Sequence, residues 1–306
     1  MRIAVTGGPG QLVLSMIERG ASHQVEAVGP PALDLAAGSD ESVFTAIASS
    51  FGGVGPEAIV NGAAYTAVDR AETEPDLAFA INAAGAGAVA RAAVRLKIPL
   101  VHISTDYVFS GDKTLPYIES DATGPTGVYG ASKLAGELAV LDSGADATIL
   151  RTAWVYSPFG VNFVKTMLRL ALDRDEISVV DDQRGCPTSA LDLADAAMTV
   201  AANLAARSDP ALRGVFHATG SGEATWADVA KAVFVISRNL GGPSASVRRI
   251  ATAEYPTLAR RPANSRLDCA QLAKVHGVVL PDWCASCHDV TIRLIHESIK
   301  EKGLAR

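Results

Sequence analysis

The chain has 306 residues, 48% of them hydrophobic and 20% charged, enough apolar material for one large domain or two modest ones around a substantial core. Its net charge of −6 gives no basic field along which the phosphates of a nucleic acid would gather, so a DNA or RNA partner is disfavoured; a small anionic ligand held by a few placed donors is not. Met1 runs directly into Arg2-Ile3-Ala4-Val5-Thr6-Gly7, without the apolar stretch and cleavage site of a signal peptide, and no apolar run reads as long enough to span a bilayer, so the expectation is a cytoplasmic protein with no membrane partner.

Ile3-Ala4-Val5 reads as a strand and Leu12 to Arg19 as the helix after it. Val25 to Val28 and Ala58 to Asn61 repeat the strand pattern around a helix over Glu41 to Ser50. Pro75 to Leu96, almost unbroken in small residues, predicts a helix, Leu100 to Ser104 a strand, Gly130 to Asp142 a helix and Ala147 to Arg151 a strand. Strands alternating with helical stretches predict crossover units, hence an α/β fold with a Rossmann-type, doubly wound parallel sheet. Beyond Trp154-Val155-Tyr156 the rhythm loosens into a helix over Asn162 to Asp173, a short strand over Ile177 to Val180 and a helix over Asp192 to Ala205. Val215-Phe216-His217-Ala218 reads as one more strand of the main sheet, and the remainder, with Pro256, Pro262 and Pro281 among helices, as a smaller C-terminal lobe.

Three features carry chemistry. The first strand ends in Thr6-Gly7-Gly8-Pro9-Gly10-Gln11-Leu12, a glycine-rich turn opening a helix, where absent side chains let backbone N–H groups approach a pyrophosphate whose charge the helix dipole favours. Val13 stands where a third glycine often allows close helix–sheet packing, and Val28-Gly29-Pro30 at the second strand's end offers neither an acid for a ribose 2′-hydroxyl nor a base for a 2′-phosphate, which leaves NADH and NADPH both open. Tyr129-Gly130-Ala131-Ser132-Lys133 puts a phenol and an ammonium one helical turn apart on one face, and a nearby cation favours the phenolate, drawing the phenol toward neutrality as a proton donor and acceptor. The strand Leu100 to Ser104 runs into Thr105-Asp106-Tyr107, and because ligands of open α/β sheets lie outside the carboxyl ends of strands, this hydroxyl and carboxylate are expected to face the same crevice as the glycine turn.

Cys284-Ala-Ser-Cys287-His288 matches the pattern of covalent haem attachment, but that chemistry belongs to exported proteins, and zinc would need a fourth ligand that no nearby spacing supplies. Two cysteines on a C-terminal helix is the reading kept, with no metal site assigned.

Together, Gly7-x-x-Gly10-Gln11, Val60-Asn61-Gly62-Ala63-Ala64-Tyr65-Thr66-Ala67-Val68-Asp69, Ser104-Thr105-Asp106-Tyr107-Val108-Phe109, Tyr129-x-x-x-Lys133, Arg151-Thr152-Ala153-Trp154-Val155-Tyr156 and Arg261-Pro262-Ala263-Asn264-Ser265-Arg266-Leu267 resemble the dTDP-4-dehydrorhamnose reductase family of extended short-chain dehydrogenases/reductases, in the expected order over almost the whole chain. The resemblance implies hydride transfer from NADPH or NADH to C4 of a dTDP-4-keto-6-deoxyhexose, a small-molecule nucleotide sugar, giving dTDP-L-rhamnose. It implies that Tyr129 protonates the alkoxide, that Lys133 binds the nicotinamide ribose and depresses the Tyr129 pKa, and that Thr105 hydrogen-bonds the sugar carbonyl. By the same resemblance Gly7, Gly10, Gln11, Leu12, Asp34, Leu35, Ala63, Ala64 and Tyr65 line the dinucleotide, while Asp106, Trp154, Arg261 and Arg266 face the substrate. The implied division is a dinucleotide-binding domain over 1–156 and about 190–221, and a substrate-binding lobe over about 157–189 and 222–306. A homodimer and Mg²⁺ are both compatible with the resemblance, although the acidic residues are too scattered to nominate metal ligands. Gly62 and Tyr65 stand where relatives often carry Ala and His. Two alternatives remain: a dehydratase or epimerase on the same sheet, disfavoured because Tyr107 stands where a carboxylate base would follow Thr105-Asp106, and a non-catalytic dinucleotide-binding regulatory subunit resembling the methionine adenosyltransferase β subunit, disfavoured by the intact Thr105, Tyr129 and Lys133.

Overall fold

The computed structural model describes residues 1–304. Its centre is a six-stranded parallel sheet in the order Gly214–His217, Ala147–Thr152, Leu100–Thr105, Ala58–Asn61, Arg2–Thr6, Gln24–Val28. The inner strands are buried on both faces, which is why they read as near-continuous apolar runs. Strand order reverses beside Arg2–Thr6, between its pairings with Gln24–Val28 and Ala58–Asn61, and a crevice opens at such a switch point, outside the carboxyl ends of the strands. The helices Gln11–Arg19 and Ala190–Ala206 cover one face, burying Leu12, Met16, Leu193 and Ala197 against Ile3, Val5 and Val101. Asp40–Ala48 and Ala86–Leu96 cover the other, burying Val43, Ile47 and Val89 against Ala4, Ile59 and Ile149. The expected α/β architecture is therefore the observed one.

Two expectations need correction. The run Pro75–Leu96 is, by length and composition, apolar enough to cross a bilayer, contrary to the reading that no such run exists; here most of it is buried in the fold, because Ala and Gly on every side let it pack between the sheet and a neighbouring helix. It is also not uniformly α-helical: Ala80–Gly85 forms a π-helical segment between Pro75–Phe79 and Ala86–Leu96.

The second lobe is built on a separate two-stranded parallel sheet in which Glu176–Val180 pairs with Ser246–Ile250. Helices Phe163–Leu170, Trp226–Asn239 and Trp283–Leu304 surround it, enclosing Val164, Ile177, Val179, Val233, Phe234 and Val290. Cys287 is buried in this core and Cys284 is exposed on the same helix, both as free thiols. Among the described residues no group of three or more His, Cys, Asp or Glu side chains is placed to hold a metal ion.

Candidate active site

The glycine turn is shaped by contacts that only glycine permits. Gly7 has φ +127 and donates its N–H to the Val28 carbonyl at 3.0 Å. A Cβ on Gly29 would lie 2.3 Å from the Gly7 oxygen, so the end of the second strand presents no side chain because the turn leaves no room for one. Gly10 is extended and precedes helix Gln11–Arg19 with no side-chain cap, leaving first-turn N–H groups available to an anion. A Cβ on Gly8 would meet nothing within 4 Å; backbone there faces open space, as a dinucleotide's phosphates require. The Gln11 side chain braces the turn, donating to the Val155 carbonyl at 3.3 Å and accepting from the Ser157 hydroxyl at 3.0 Å.

From this turn a cleft of about 800 Å³ extends across the sheet's carboxyl end, lined by Gly7, Gly10, Gln11, Leu12, Ala63 and Ala64, and further on by Thr105, Asp106, Tyr129, Lys133 and Trp154. Thr105 ends its strand; its hydroxyl accepts the Tyr107 N–H at 3.2 Å and donates to Asp106 Oδ1 at 3.0 Å. Tyr129 and Lys133 lie on helix Val128–Asp142, whose start is fixed by Glu72, a carboxylate accepting the Val128 N–H at 2.9 Å.

The electrostatics depart from expectation. Burial pushes the Tyr129 phenol above its ordinary value of 10, with Asp106 and Tyr107 adding to the rise and the Thr105 hydroxyl offsetting part of it. Lys133 does not stand among those causes. The Lys133 ammonium donates to the Ile103 carbonyl at 2.7 Å, and the Tyr129 and Tyr107 rings meet in a T-shaped arrangement, 5.4 Å between centroids. Burial lowers the Lys133 pKa to about 8, against the pull of Glu137. Burial likewise raises Asp106 to about 6, although the Ser265 and Thr105 side chains favour its charged form. Asp106 Oδ2 and Thr152 Oγ1 are buried without a partner, and both residues line the cleft. Unpartnered polar atoms beside a cavity suit a hydroxyl-rich ligand.

Other expected residues lie outside the cleft lining. Asp34 is exposed and its carboxylate accepts the Ala36 N–H at 2.8 Å in the turn beyond the second strand, while Leu35 is buried in the core. Tyr65 is pinned at its backbone by Asn82, which accepts from its N–H at 2.8 Å and donates to its carbonyl at 3.1 Å, and its hydroxyl donates to Glu74 at 2.5 Å. Arg261 pairs with Asp69 at 2.5 Å and approaches the Tyr107 hydroxyl at 3.4 Å, a rim position, since Tyr107 lines the cleft. Arg266 is committed elsewhere: its donors reach Glu223 at 2.7 Å, Asn264 at 2.8 Å and the Thr114 carbonyl at 2.5 Å.

Sequence reasoning missed three features. Trp226 lines the cleft and stacks on Trp154; its one sequence signal is Thr225-Trp226-Ala227-Asp228, a capping box that opens a helix. Glu137, buried one turn beyond Lys133, accepts from Arg151 Nε at 2.9 Å and Nη2 at 2.6 Å and from the Ser104 hydroxyl at 2.5 Å. Thr6 donates to Asn61 Oδ1 at 2.6 Å, and Asn61 Nδ2 meets His102 Nδ1 at 3.0 Å, a buried polar relay across three adjacent strands. Burial keeps His102 neutral, well below its usual range, which suits an imidazole accepting at Nδ1.

Comparison with known proteins gives a concordant result. Residues 1–295 match the family model described as RmlD substrate binding domain. The chain is 50% identical over 298 residues to a dTDP-4-dehydrorhamnose reductase of Sinorhizobium fredii, covering 97% of this chain and 99% of that one. It is 46% identical over 239 residues to the dTDP-4-dehydrorhamnose reductase of Escherichia coli, covering 78% and 79%. The structure of the Bacillus anthracis dTDP-4-dehydrorhamnose reductase in complex with NADP superposes with a TM-score of 0.86 at 34% identity, covering 95% of this chain and 99% of that one. On its sequence, its fold and the match over nearly its full length, the chain belongs to the dTDP-4-dehydrorhamnose reductase family.

Proposed function

We propose that the chain is a cytoplasmic NAD(P)H-dependent oxidoreductase that reduces the C4 keto group of dTDP-4-dehydrorhamnose to give dTDP-L-rhamnose. One observation carries the reading: a threonine hydroxyl, a tyrosine phenol and a lysine ammonium share a single cleft with the glycine-rich helix start. In this reading the large lobe, 1–156 and about 190–221, holds the dinucleotide and the remainder holds most of the sugar nucleotide.

The nicotinamide, when bound, supplies the hydride. Backbone N–H groups of Gln11 and Leu12 would hold the pyrophosphate, with Gly10, whose own N–H is donated to the Gly8 carbonyl, bordering it; the backbone of Ala63 and Ala64 would border the dinucleotide, and Lys133 would hold the nicotinamide ribose. Thr105 turns its hydroxyl from Asp106 to the keto oxygen. Tyr129 gives its proton to that oxygen as charge develops there. A phenol kept protonated by burial is the state this direction needs, because reduction calls for an acid and the alkoxide is the stronger base. Asp106 and Trp154 position the sugar, with Arg261 at the rim.

The test is a spectrophotometric assay of NADPH oxidation with enzymatically generated dTDP-4-keto sugar. Tyr129→Phe is expected to lower kcat by about 10²–10⁴-fold while leaving NADPH affinity nearly intact. Equal loss of cofactor binding would remove Tyr129 from this role, and a wild-type protein that leaves both NADPH and NADH unoxidised would overturn the reductase reading.

A further inference from the structure

Trp154 holds a conformation that a tryptophan rarely adopts, with φ +51, a strain that its surroundings must offset. Those surroundings are specific. The Trp226 ring lies parallel to it, 3.7 Å between centroids and 8° between planes. On Gly185 a Cβ would come within 2.4 Å of the Trp154 indole, so only a glycine there admits the ring. Trp226 is itself fixed: Phe163 leans on it at 4.6 Å, its Nε1 donates to Gln183 Oε1 at 3.2 Å, and Gln183 Nε2 donates to Thr252 at 3.0 Å. The capping box of Thr225 and Asp228 sets the helix on which Trp226 is the first residue.

The stacked pair joins the two lobes at the reacting end of the cleft. Trp154 follows the main-sheet strand Ala147–Thr152, whose Thr152 pairs with Thr105 in the sheet register, and Trp226 comes from the second lobe. Trp154, Trp226 and Phe163 make an apolar, aromatic wall in the same cleft as Thr105, Asp106 and Tyr129. A 6-deoxypyranose has the matching polarity: hydroxyl and keto groups for the polar residues, ring C–H bonds and a methyl for the indoles.

We infer that Trp226 is a positioning residue for the nucleotide sugar: by stacking on Trp154 it holds that indole as an apolar wall against the C–H face and C6 methyl of the 6-deoxyhexose. Trp226 acts through Trp154 and takes no part in proton or hydride transfer. The inference rests on the reductase reading above, and it predicts a loss confined to the sugar.

Trp226→Ala and Trp226→Phe are compared with wild type in initial-rate assays that vary the dTDP-4-keto sugar and NADPH separately. Trp226→Ala is expected to lower kcat/KM for the sugar about tenfold, mostly through KM, as loss of an aromatic pair implies, with NADPH affinity nearly unchanged and Trp226→Phe recovering most of the loss. The chain has three tryptophans, so fluorotryptophan NMR gives a second reading: Trp226→Phe removes one resonance, moves that of Trp154 and leaves that of Trp283 in place, and dTDP-L-rhamnose shifts the Trp154 signal of the wild type. Wild-type kcat/KM for the sugar in Trp226→Ala, an equal loss of NADPH affinity, or an unmoved Trp154 resonance overturns the inference while leaving the reductase reading intact. A wild type that oxidises neither NADPH nor NADH with this sugar overturns both.

Discussion

Asp106 and Lys133 line the same cleft and burial moves them in opposite senses, the carboxyl up to about 6 and the ammonium down to about 8. Each is pushed toward its neutral form, so between those values both are charged at a cost to the fold. For Lys133 the native state releases its proton before the unfolded chain does, so the charged side chain costs stability below about pH 8, and that cost is relieved as pH rises toward the ordinary value of 10.5. For Asp106 the native state keeps its proton longer, so stability falls as pH rises from 3.8 to about 6. If the ammonium binds the cofactor, kcat/KM falls on the alkaline side with an apparent pKa near the Lys133 value of about 8. Lys133→Met is expected to abolish that limb, slow the reaction and weaken NADPH binding, yet to melt no lower than wild type at pH 7. An alkaline limb unchanged in Lys133→Met, or wild-type rate and affinity, would remove Lys133 from the site. The Tyr-x-x-x-Lys spacing was legible because helical periodicity is local. The rise of the Tyr129 pKa was not, because its burial and the nearness of Asp106 and Tyr107 are tertiary facts.

The helix Val128–Asp142 delivers Tyr129 and Lys133 because its glycines let it approach its neighbours closely. A Cβ on Gly130 would lie 2.2 Å from the Tyr107 carbonyl oxygen, and one on Gly136 would lie 2.0 Å from that of Asn82. Asn82 sits in the π-helical segment Ala80–Gly85 and also donates to Ser132 at 2.9 Å, so the two helices are tied at backbone and side chain together. A π-helical turn changes the helical phase of the residues beyond it, and here it brings Asn82 to both Tyr65 and the helix bearing the Tyr–Lys pair. Gly136→Ala is expected to destabilise the protein by about 1–3 kcal/mol, as overpacking does, and to lower the rate by displacing that helix. The measurement is the denaturant midpoint together with kcat; an unchanged midpoint would show that the interface can yield. The sheet's strands were legible at this scale because inner strands of a parallel sheet are apolar throughout. Ser246–Ile250 was not, since Ser-Val-Arg-Arg-Ile lies at the surface and acquires strand character from pairing with Glu176–Val180. The π-helical segment left no signal either: it packs against Gly136, far away in sequence.

At the scale of the molecule, the two lobes are joined by more than a hinge. Asn264 donates to the carbonyls of Lys113 at 2.7 Å and Leu115 at 2.9 Å, Arg266 donates to the Thr114 carbonyl, and Tyr117 exchanges backbone hydrogen bonds with Arg266 and Asp268 at 2.8 Å. Leu272, Val278 and Leu280, late in the chain, pack into the same core as Ile3, Val5 and Phe216. Arg293 reaches Glu18 on the first helix at 2.6 Å. Removing the second lobe would thus open the first lobe's core, and neither is expected to persist while the other unfolds. The cleft spans both lobes, from Gly7 to Trp226, so a ligand that fills it binds only the joined form. Calorimetry is expected to show one unfolding transition, and NADPH at a hundred times its Kd is expected to raise the stability of that whole transition by about 2.7 kcal/mol. Two resolved transitions, only one of them moving with NADPH, would show that the lobes fold separately and that the dinucleotide is held by one of them alone. Arg266→Ala sharpens the measurement: Arg266 lies outside the cleft lining, so loss of its ties to Glu223 and Thr114 should lower the single transition in the free protein while leaving the increment from NADPH unchanged.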